Sequence, residues 1–238
     1  MKKILLTSGC SFTDRNFESD FHPDMDTRWP MWPELVAKKL NMDCINLGQS
    51  GAGNEYIYFT LLDEIIKRDN IGLVIAGWTQ SQRKDWRNKQ RWNNNSRYCN
   101  KSINTYGNND MYAYVDKSLR YYYSLQQVCK SKKIPFKQFQ MLHLFRGYTY
   151  DPISNEQNLK IEIRKELLEY IHDSPYFNKI DDNFLGWPTD TSLGGYNIKQ
   201  KVLGGYTKEA LKNNVSKKDS HPNAKGQEMI AEFLYARL

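Results

Sequence analysis

An α/β protein, with a central parallel sheet of about five strands between two layers of helices, is the fold class this sequence predicts. Two observations carry it. Short apolar runs alternate with longer segments whose apolar residues recur at spacings of three and four, the rhythm of strand, crossover helix and parallel strand. The runs are also apolar throughout, as in strands buried on both faces. The 238 residues suit one such domain. No linker-like stretch divides them and no internal repeat recurs, so a single domain over 1–238 is expected.

The elements follow in chain order. Lys3–Ser8 is the first strand. Trp32–Leu40 carries Trp32, Leu35, Val36 and Leu40 on one stripe, with Pro33 in its first turn, and reads as a helix. Asp43–Leu47 is a second strand, stopped by the glycine-rich Gly48–Gly53. Asn54 is placed to cap the helix Glu55–Arg68, where Ile57, Leu61, Leu62, Ile65 and Ile66 share a stripe. Ile71–Ala76 is a third strand, Val115–Lys132 a helix and Ile134–Leu142 a fourth strand. Lys160–His172 is a helix with Ile161, Ile163, Leu167, Leu168 and Ile171, and Asn223–Leu238 is the last, with Met229, Ile230, Phe233 and Leu234 inward. Two segments break the rhythm, at about 80–112 and 173–215. The first is polar and without a sustained period; the second scatters Gly, Pro and aromatics and is where a fifth strand is expected. Loops that long in a compact domain usually serve a function.

Lys and Arg outnumber Asp and Glu by 34 to 27, a formal charge of +7, with 39% hydrophobic and 26% charged residues. That is the balance of a soluble globular chain. No apolar run nears the roughly 18 residues of a membrane helix. Lys2-Lys3-Ile4-Leu5-Leu6 is similar to the start of a secretory signal, but its apolar stretch is only Ile4–Leu6, where such a region has about 7–15 residues. Cys10, Cys44, Cys99 and Cys129 have neither metal-ligand spacing nor the density of a disulfide framework. A cytoplasmic protein without a metal or other cofactor is the expectation.

In doubly wound sheets ligands bind beyond the carboxyl ends of the strands, so the residues that follow each run are candidates for chemistry. Gly9-Cys10-Ser11-Phe12-Thr13 follows the first run, Asn46–Gly51 the second and Gly77-Trp78-Thr79-Gln80 the third. Asp219-Ser220-His221-Pro222-Asn223 precedes the last helix. A serine, a glycine pair, a hydroxyl and an Asp/His pair thus converge on one sheet edge. These residue types supply a nucleophile, oxyanion donors, a base and an acid to orient it. Each alone has a plainer use: Ser11 as a helix N-cap, His221-Pro222 as a capping turn, the glycines as turn formers. His143, at the end of the fourth strand, is a rival base with no local carboxylate.

Taken together and in this order, the blocks resemble the SGNH or GDSL hydrolases, esterases and lipases on a flavodoxin-like α/β/α fold. The resemblance covers roughly residues 3–80 and 216–238. It implies Ser11 as nucleophile, His221 as base, and an oxyanion hole that includes the backbone N–H groups of Ser11 and Gly51. Three positions depart from the family pattern. Cys10 stands where the family has Asp. Gly77-Trp78-Thr79-Gln80 stands where the family's third block supplies an oxyanion Asn, which leaves Thr79 or Asn54 as the side-chain donor. The family's acid sits three residues before the histidine, where this chain has Lys218; Asp219, two before, is the candidate, with Asp181 or Asp182 as alternatives. The activity implied is serine-dependent hydrolysis of an acyl ester.

The loops favour a polar substrate. A lipase needs a continuous apolar trench, whereas residues 80–112 are rich in Asn, Arg, Gln and Trp. Between Arg83 and Lys101 stand seven basic residues (Arg83, Lys84, Arg87, Lys89, Arg91, Arg97, Lys101) and one acid, Asp85, nearly the whole net charge. Charge runs are commonly only a solvated face. The position after the third strand points instead to a substrate-binding lid, with Trp78, Trp86, Arg87, Arg91 and Trp92 against a carbohydrate. A short-chain, acetyl esterase acting on carbohydrate is the expected activity, with a small-molecule or polysaccharide ester as partner and neither membrane nor nucleic acid. The alternatives are an O-acyltransferase and a non-catalytic carbohydrate- or nucleic-acid-binding protein on the same scaffold. Gly48-x-x-Gly51-x-Gly53 before a helix also suits a phosphate, but its spacing is the reverse of G-x-G-x-x-G. Basic-aromatic runs occur in single-strand binders, yet no nucleic-acid module is visible.

Overall fold

The computed structural model describes residues 2–88, 91–94, 111–145, 157–205, 207–208 and 210–238. The chain runs β1 (Ile4–Ser8), α1 (Trp32–Lys39), β2 (Asp43–Asn46), α2 (Asn54–Lys67), β3 (Ile71–Trp78), β4 (Asp85–Asn88) and β5 (Arg91–Asn94). It continues through α3 (Met111–Ser131), β6 (Phe136–Gln140), α4 (Gln157–Asp173), β7 (Phe184–Leu185), α5 (Ile198–Lys201) and α6 (Ala224–Tyr235). Five strands make one parallel sheet in the order β2-β1-β3-β6-β7. This is the flavodoxin-like order, in which the winding reverses between β1 and β3 and opens a crevice at their carboxyl ends.

Successive strand residues point to opposite faces, so each strand feeds two cores. Leu5, Leu73, Ile75 and Phe139 meet Trp32, Val36 and Ala37 of α1 and Ile230, Ala231 and Leu234 of α6. Ile4, Leu6, Val74, Ala76 and Phe136 meet Ile57, Leu61 and Ile65 of α2, Val115, Leu119 and Leu125 of α3, and Leu167, Leu168 and Ile171 of α4. The expected Ile161 and Ile163 contacts lie outside the residues whose side chains are described.

One sequence expectation is located and two are corrected. The fifth strand is β7, two residues paired at Gln138↔Phe184 and Phe139↔Leu185, too short to leave a period. The aperiodic segment after β3 contains an antiparallel hairpin, β4 on β5, from Asp85↔Asn94 to Asn88↔Arg91. Trp78 is not a substrate-facing residue: it is fully buried, 4.8 Å from the Tyr122 ring, and donates its indole N–H to Gln138 Oε1 at 3.0 Å. Gln138 is likewise buried and donates to the Tyr122 carbonyl at 3.2 Å, and Tyr122 in turn donates its hydroxyl to Gln140 at 3.1 Å. A buried polar chain of this kind is stabilising only when its members are paired, and these are.

Candidate active site

β1 ends in a tight turn in which Thr13 and Asp14 donate their N–H groups to the Cys10 carbonyl at 2.8 and 3.1 Å. A Cβ on Gly9 would lie 2.2 Å from Thr13 Oγ1, so the turn requires glycine there. Cys10 and Phe12 go into the core, and Ser11 is left 8% exposed.

A second turn carries the histidine. Val215 donates to the His221 carbonyl at 2.8 Å, Asn223 donates to the Asn213 carbonyl at 2.9 Å, and Asn223 Oδ1 caps α6 by accepting the Gly226 N–H at 3.0 Å. Held this way, His221 Nε2 stands 2.8 Å from Ser11 Oγ across a sequence separation of 210 residues. His221 Nδ1 stands 2.5 Å from Asp219 Oδ1, which also accepts the His221 backbone N–H at 3.0 Å. Asp219 is 2% exposed. Burial pushes its carboxyl up, but the hydrogen bonds from the His221 ring, the Ser19 hydroxyl and the His221 backbone outweigh it and hold the carboxyl at about 2. Asp219 is thus the ionised partner of an imidazole whose other nitrogen faces a serine. Asp181, the alternative acid, is committed elsewhere, 2.7 Å from Lys130 Nζ.

Several contacts at this site lie outside the sequence motifs. Ser19 donates its hydroxyl to Asp219 Oδ2 at 2.5 Å. The rings of Phe12 and Phe17 stand 5.0 and 4.5 Å from the His221 ring and flank it. His22 is 2.8 Å from Ser216 Oγ on the turn before Asp219. Lys199, buried on α5, donates to Ser220 Oγ at 2.7 Å. Only the length of the excursion between β1 and α1 hinted that it carries site residues.

The loop after β2 is clamped to the serine turn. Asn46 Nδ2 donates to the Thr13 carbonyl at 2.7 Å, Gln49 N–H to the Gly9 carbonyl at 3.0 Å and Ser50 N–H to Asp14 Oδ2 at 2.7 Å. A Cβ on Gly48 would sit 2.6 Å from the Thr13 carbonyl carbon, so glycine permits this contact. Gly51 follows with φ +81, a left-handed conformation that favours glycine. Among the described residues no acceptor takes the backbone N–H of Ser11 or of Gly51.

Asn54 is corrected on two counts. Gly53 is the N-cap of α2, and the Asn54 amide is consumed inside the protein. Its Nδ2 donates to the Thr79 carbonyl, Ser118 Oγ and Tyr122 Oη at 3.3, 3.0 and 3.4 Å, while its Oδ1 accepts the Thr79 N–H at 2.9 Å. It has no proton left for an oxyanion. Thr79 differs: its Oγ1 is buried and has no partner among the described residues.

The hairpin is fixed at its base. Asp85 accepts the Gly53 and Tyr56 N–H groups at 2.8 and 2.9 Å and so serves as the side-chain cap that α2 itself lacks. Trp92 is half-buried against Tyr56 and Phe59, at ring distances of 5.6 and 6.3 Å, and anchors the hairpin to α2. Trp86 is 48% exposed, and Arg87 and Arg91 are exposed. Lys89, Arg97 and Lys101 lie outside the described residues. His143 is half-buried, and burial pushes its pKa down against the pull of the Asp190 carboxylate. The hydroxyl of Ser11 goes to His221. Among the described residues no group of three or more His, Cys, Asp or Glu is arranged to hold a metal, and no helix is long and apolar enough to cross a membrane.

No protein-family model and no curated protein matches the sequence. Solved structures match the fold. The psychrotrophic esterase EstA of Pseudoalteromonas sp., in a form inhibited by monoethylphosphonate, is 12% identical over 98% of this chain and 95% of its own, with a TM-score of 0.51. Axe2, an acetylxylan esterase of Geobacillus stearothermophilus, is 12% identical over 98% of this chain and 93% of its own, with a TM-score of 0.49. A G-D-S-L family structure from Desulfitobacterium hafniense DCB-2 is 13% identical over 99% of both chains, with a TM-score of 0.48. The likeness to the Pseudoalteromonas enzyme shows the fold, and the chain has the α/β/α architecture of that esterase.

Proposed function

We propose that this chain is a serine ester hydrolase of the SGNH/GDSL type that removes short acyl groups, acetyl foremost, from carbohydrate. The observation that carries the proposal is the line from Ser11 Oγ to His221 Nε2 to Asp219 Oδ1, at 2.8 and 2.5 Å. In the first step Ser11 Oγ attacks the ester carbonyl while His221 Nε2 takes its proton; the proton then passes to the leaving alcohol and an acyl-serine remains. Water deprotonated by His221 attacks that ester, and collapse releases the acid and restores the serine. Asp219 keeps the imidazole proton on Nδ1 and stabilises the transient imidazolium. The free N–H groups of Ser11 and Gly51 suit the oxyanion, with the Thr79 hydroxyl as the side-chain donor in place of Asn54.

One observation supports a carbohydrate over a lipid, and a second supports the serine mechanism. The hairpin beside the oxyanion loop presents Trp86, Arg87 and Arg91 to solvent, a ring and cations suited to sugar faces and hydroxyls. The EstA structure was obtained with monoethylphosphonate, a reagent class that mimics a tetrahedral acyl intermediate. The test is p-nitrophenyl acetate turnover together with mass spectrometry after treatment with an ethyl phosphonate ester. Turnover by the parent, loss in Ser11→Ala, and a phosphonyl adduct on Ser11 are expected. Undiminished turnover in Ser11→Ala removes the mechanism, and preference for octanoyl over acetyl esters removes the carbohydrate assignment.

A further inference from the structure

We infer that Ser19 is a positioning residue for the Asp219 carboxylate, so that the relay proposed above has a fourth member; the inference rests on that reading of the site. The Asp219 carboxylate is almost inaccessible to water and must find its partners within the protein. Oδ1 is used by the two N–H groups of His221. Oδ2 receives the hydroxyl of Ser19 at 2.5 Å, a short, charge-assisted hydrogen bond. The Ser19 hydroxyl is itself aimed: its oxygen accepts the His22 N–H at 3.2 Å, which leaves its single proton directed at Asp219. The backbone around it is held by Thr27, which donates its hydroxyl to the Phe17 carbonyl at 2.5 Å, and by the Phe17 ring on the His221 ring. The excursion between β1 and α1 therefore carries the nucleophile at its start and the clamp on the acid eight residues later. One segment fixes both ends of the relay.

Chemistry gives the direction of the effect. A hydroxyl donated to Oδ2 draws negative charge away from the face that Oδ1 shows to His221. Without it the carboxylate is more basic, the imidazolium is favoured, and the His221 pKa rises. In Ser19→Ala, kcat for p-nitrophenyl acetate is expected to fall roughly ten- to a hundredfold with KM little changed. The acid limb of kcat/KM should move to higher pH, and Ser19→Thr, which keeps the hydroxyl, should restore both. A purely structural role would lower the folded fraction without moving the limb. NMR titration of His221, assigned through His221→Asn, reads the same upward shift with no substrate present. Parent-like kcat and an unmoved His221 titration in Ser19→Ala overturn the inference. If no ester is hydrolysed but the His221 titration moves, the esterase proposal falls and the role of Ser19 stands.

Discussion

Gly53 donates its backbone N–H to Asp85 at 2.8 Å, so the residue that opens α2 is tied to the first residue of a hairpin 32 positions later. The second carboxylate oxygen takes the Tyr56 N–H at 2.9 Å, and a Cβ on Gly53 would lie 2.6 Å from it. The helix start, the hairpin base and the loop bearing Gly51 are therefore one mechanical unit, two residues from a proposed oxyanion donor.

Asp85→Ala strips two buried N–H groups of their acceptor, which costs about 1–3 kcal/mol for each unpaired group. Urea unfolding should show the loss, and kcat on p-nitrophenyl acetate should fall severalfold as the Gly51 loop loosens. Asp85→Asn retains one acceptor and turns an amide N–H toward the other donor, so it should fall between parent and alanine. Unchanged stability in Asp85→Ala would mean that the hairpin is not fastened through this carboxylate.

Thr79→Val separates catalysis from folding. The Thr79 hydroxyl is buried and unpartnered among the described residues, so replacing it by a methyl group of the same shape should leave stability equal or higher. If the hydroxyl serves the oxyanion, kcat should nevertheless fall by roughly 10–1,000-fold. A stable Val variant with parent kcat assigns the oxyanion to the backbone N–H groups alone.

Asp219 makes a prediction about pH. Its folded carboxyl, near 2, lies below the ordinary 3.8. A depressed acid contributes stability above its unfolded pKa and loses it as pH falls through the folded one. The stability margin of the parent over Asp219→Asn is therefore expected to be greatest above pH 4 and to shrink by about 2 kcal/mol between about pH 4 and 2. Urea midpoints measured across that range check it. At neutral pH the same substitution should lower kcat by roughly 10³–10⁴-fold, because the asparagine amide favours the wrong imidazole tautomer.

What the sequence made legible followed from residue type and element boundary. Ser11 sits just past an apolar strand and His221 just before an amphipathic helix, so that they meet at one sheet edge could be argued without coordinates. Trp78 shares parity with Val74 and Ala76 and packs in the same core as they do, although it stands just past the apolar run and just before the basic segment. Ser19 left no trace, since a serine in an aperiodic stretch has no period and its partner is 200 residues distant. The hairpin was hidden because its residues are Asp, Asn, Arg and Trp, joined to α2 through Asp85 and Trp92 rather than along an apolar face.

The hairpin itself carries the last prediction. Trp92 is engaged with Tyr56 and Phe59, whereas the side chains of Trp86, Arg87 and Arg91 are exposed and make no ring contact, hydrogen bond or ion pair among the described residues. An indole about half exposed and without a ring contact among the described residues adds little to the fold, so replacing it should leave the stability within about 0.5 kcal/mol of the parent. If these side chains receive a glycan, Trp86→Ala and the double variant Arg87→Ala/Arg91→Ala should raise KM on an acetylated polysaccharide. Loss of one stacking contact corresponds to a KM increase of roughly five- to a hundredfold. p-Nitrophenyl acetate, which carries no sugar for these side chains to hold, should be turned over at the parent rate. Trp92→Ala is the control: it loosens the hairpin from α2 and should impair both substrates. Equal losses on both substrates in Trp86→Ala would place the indole in the fold rather than on the glycan. Salt-sensitive retention of an oligonucleotide by the parent, lost in the double arginine variant, would assign the cations to a nucleic acid instead.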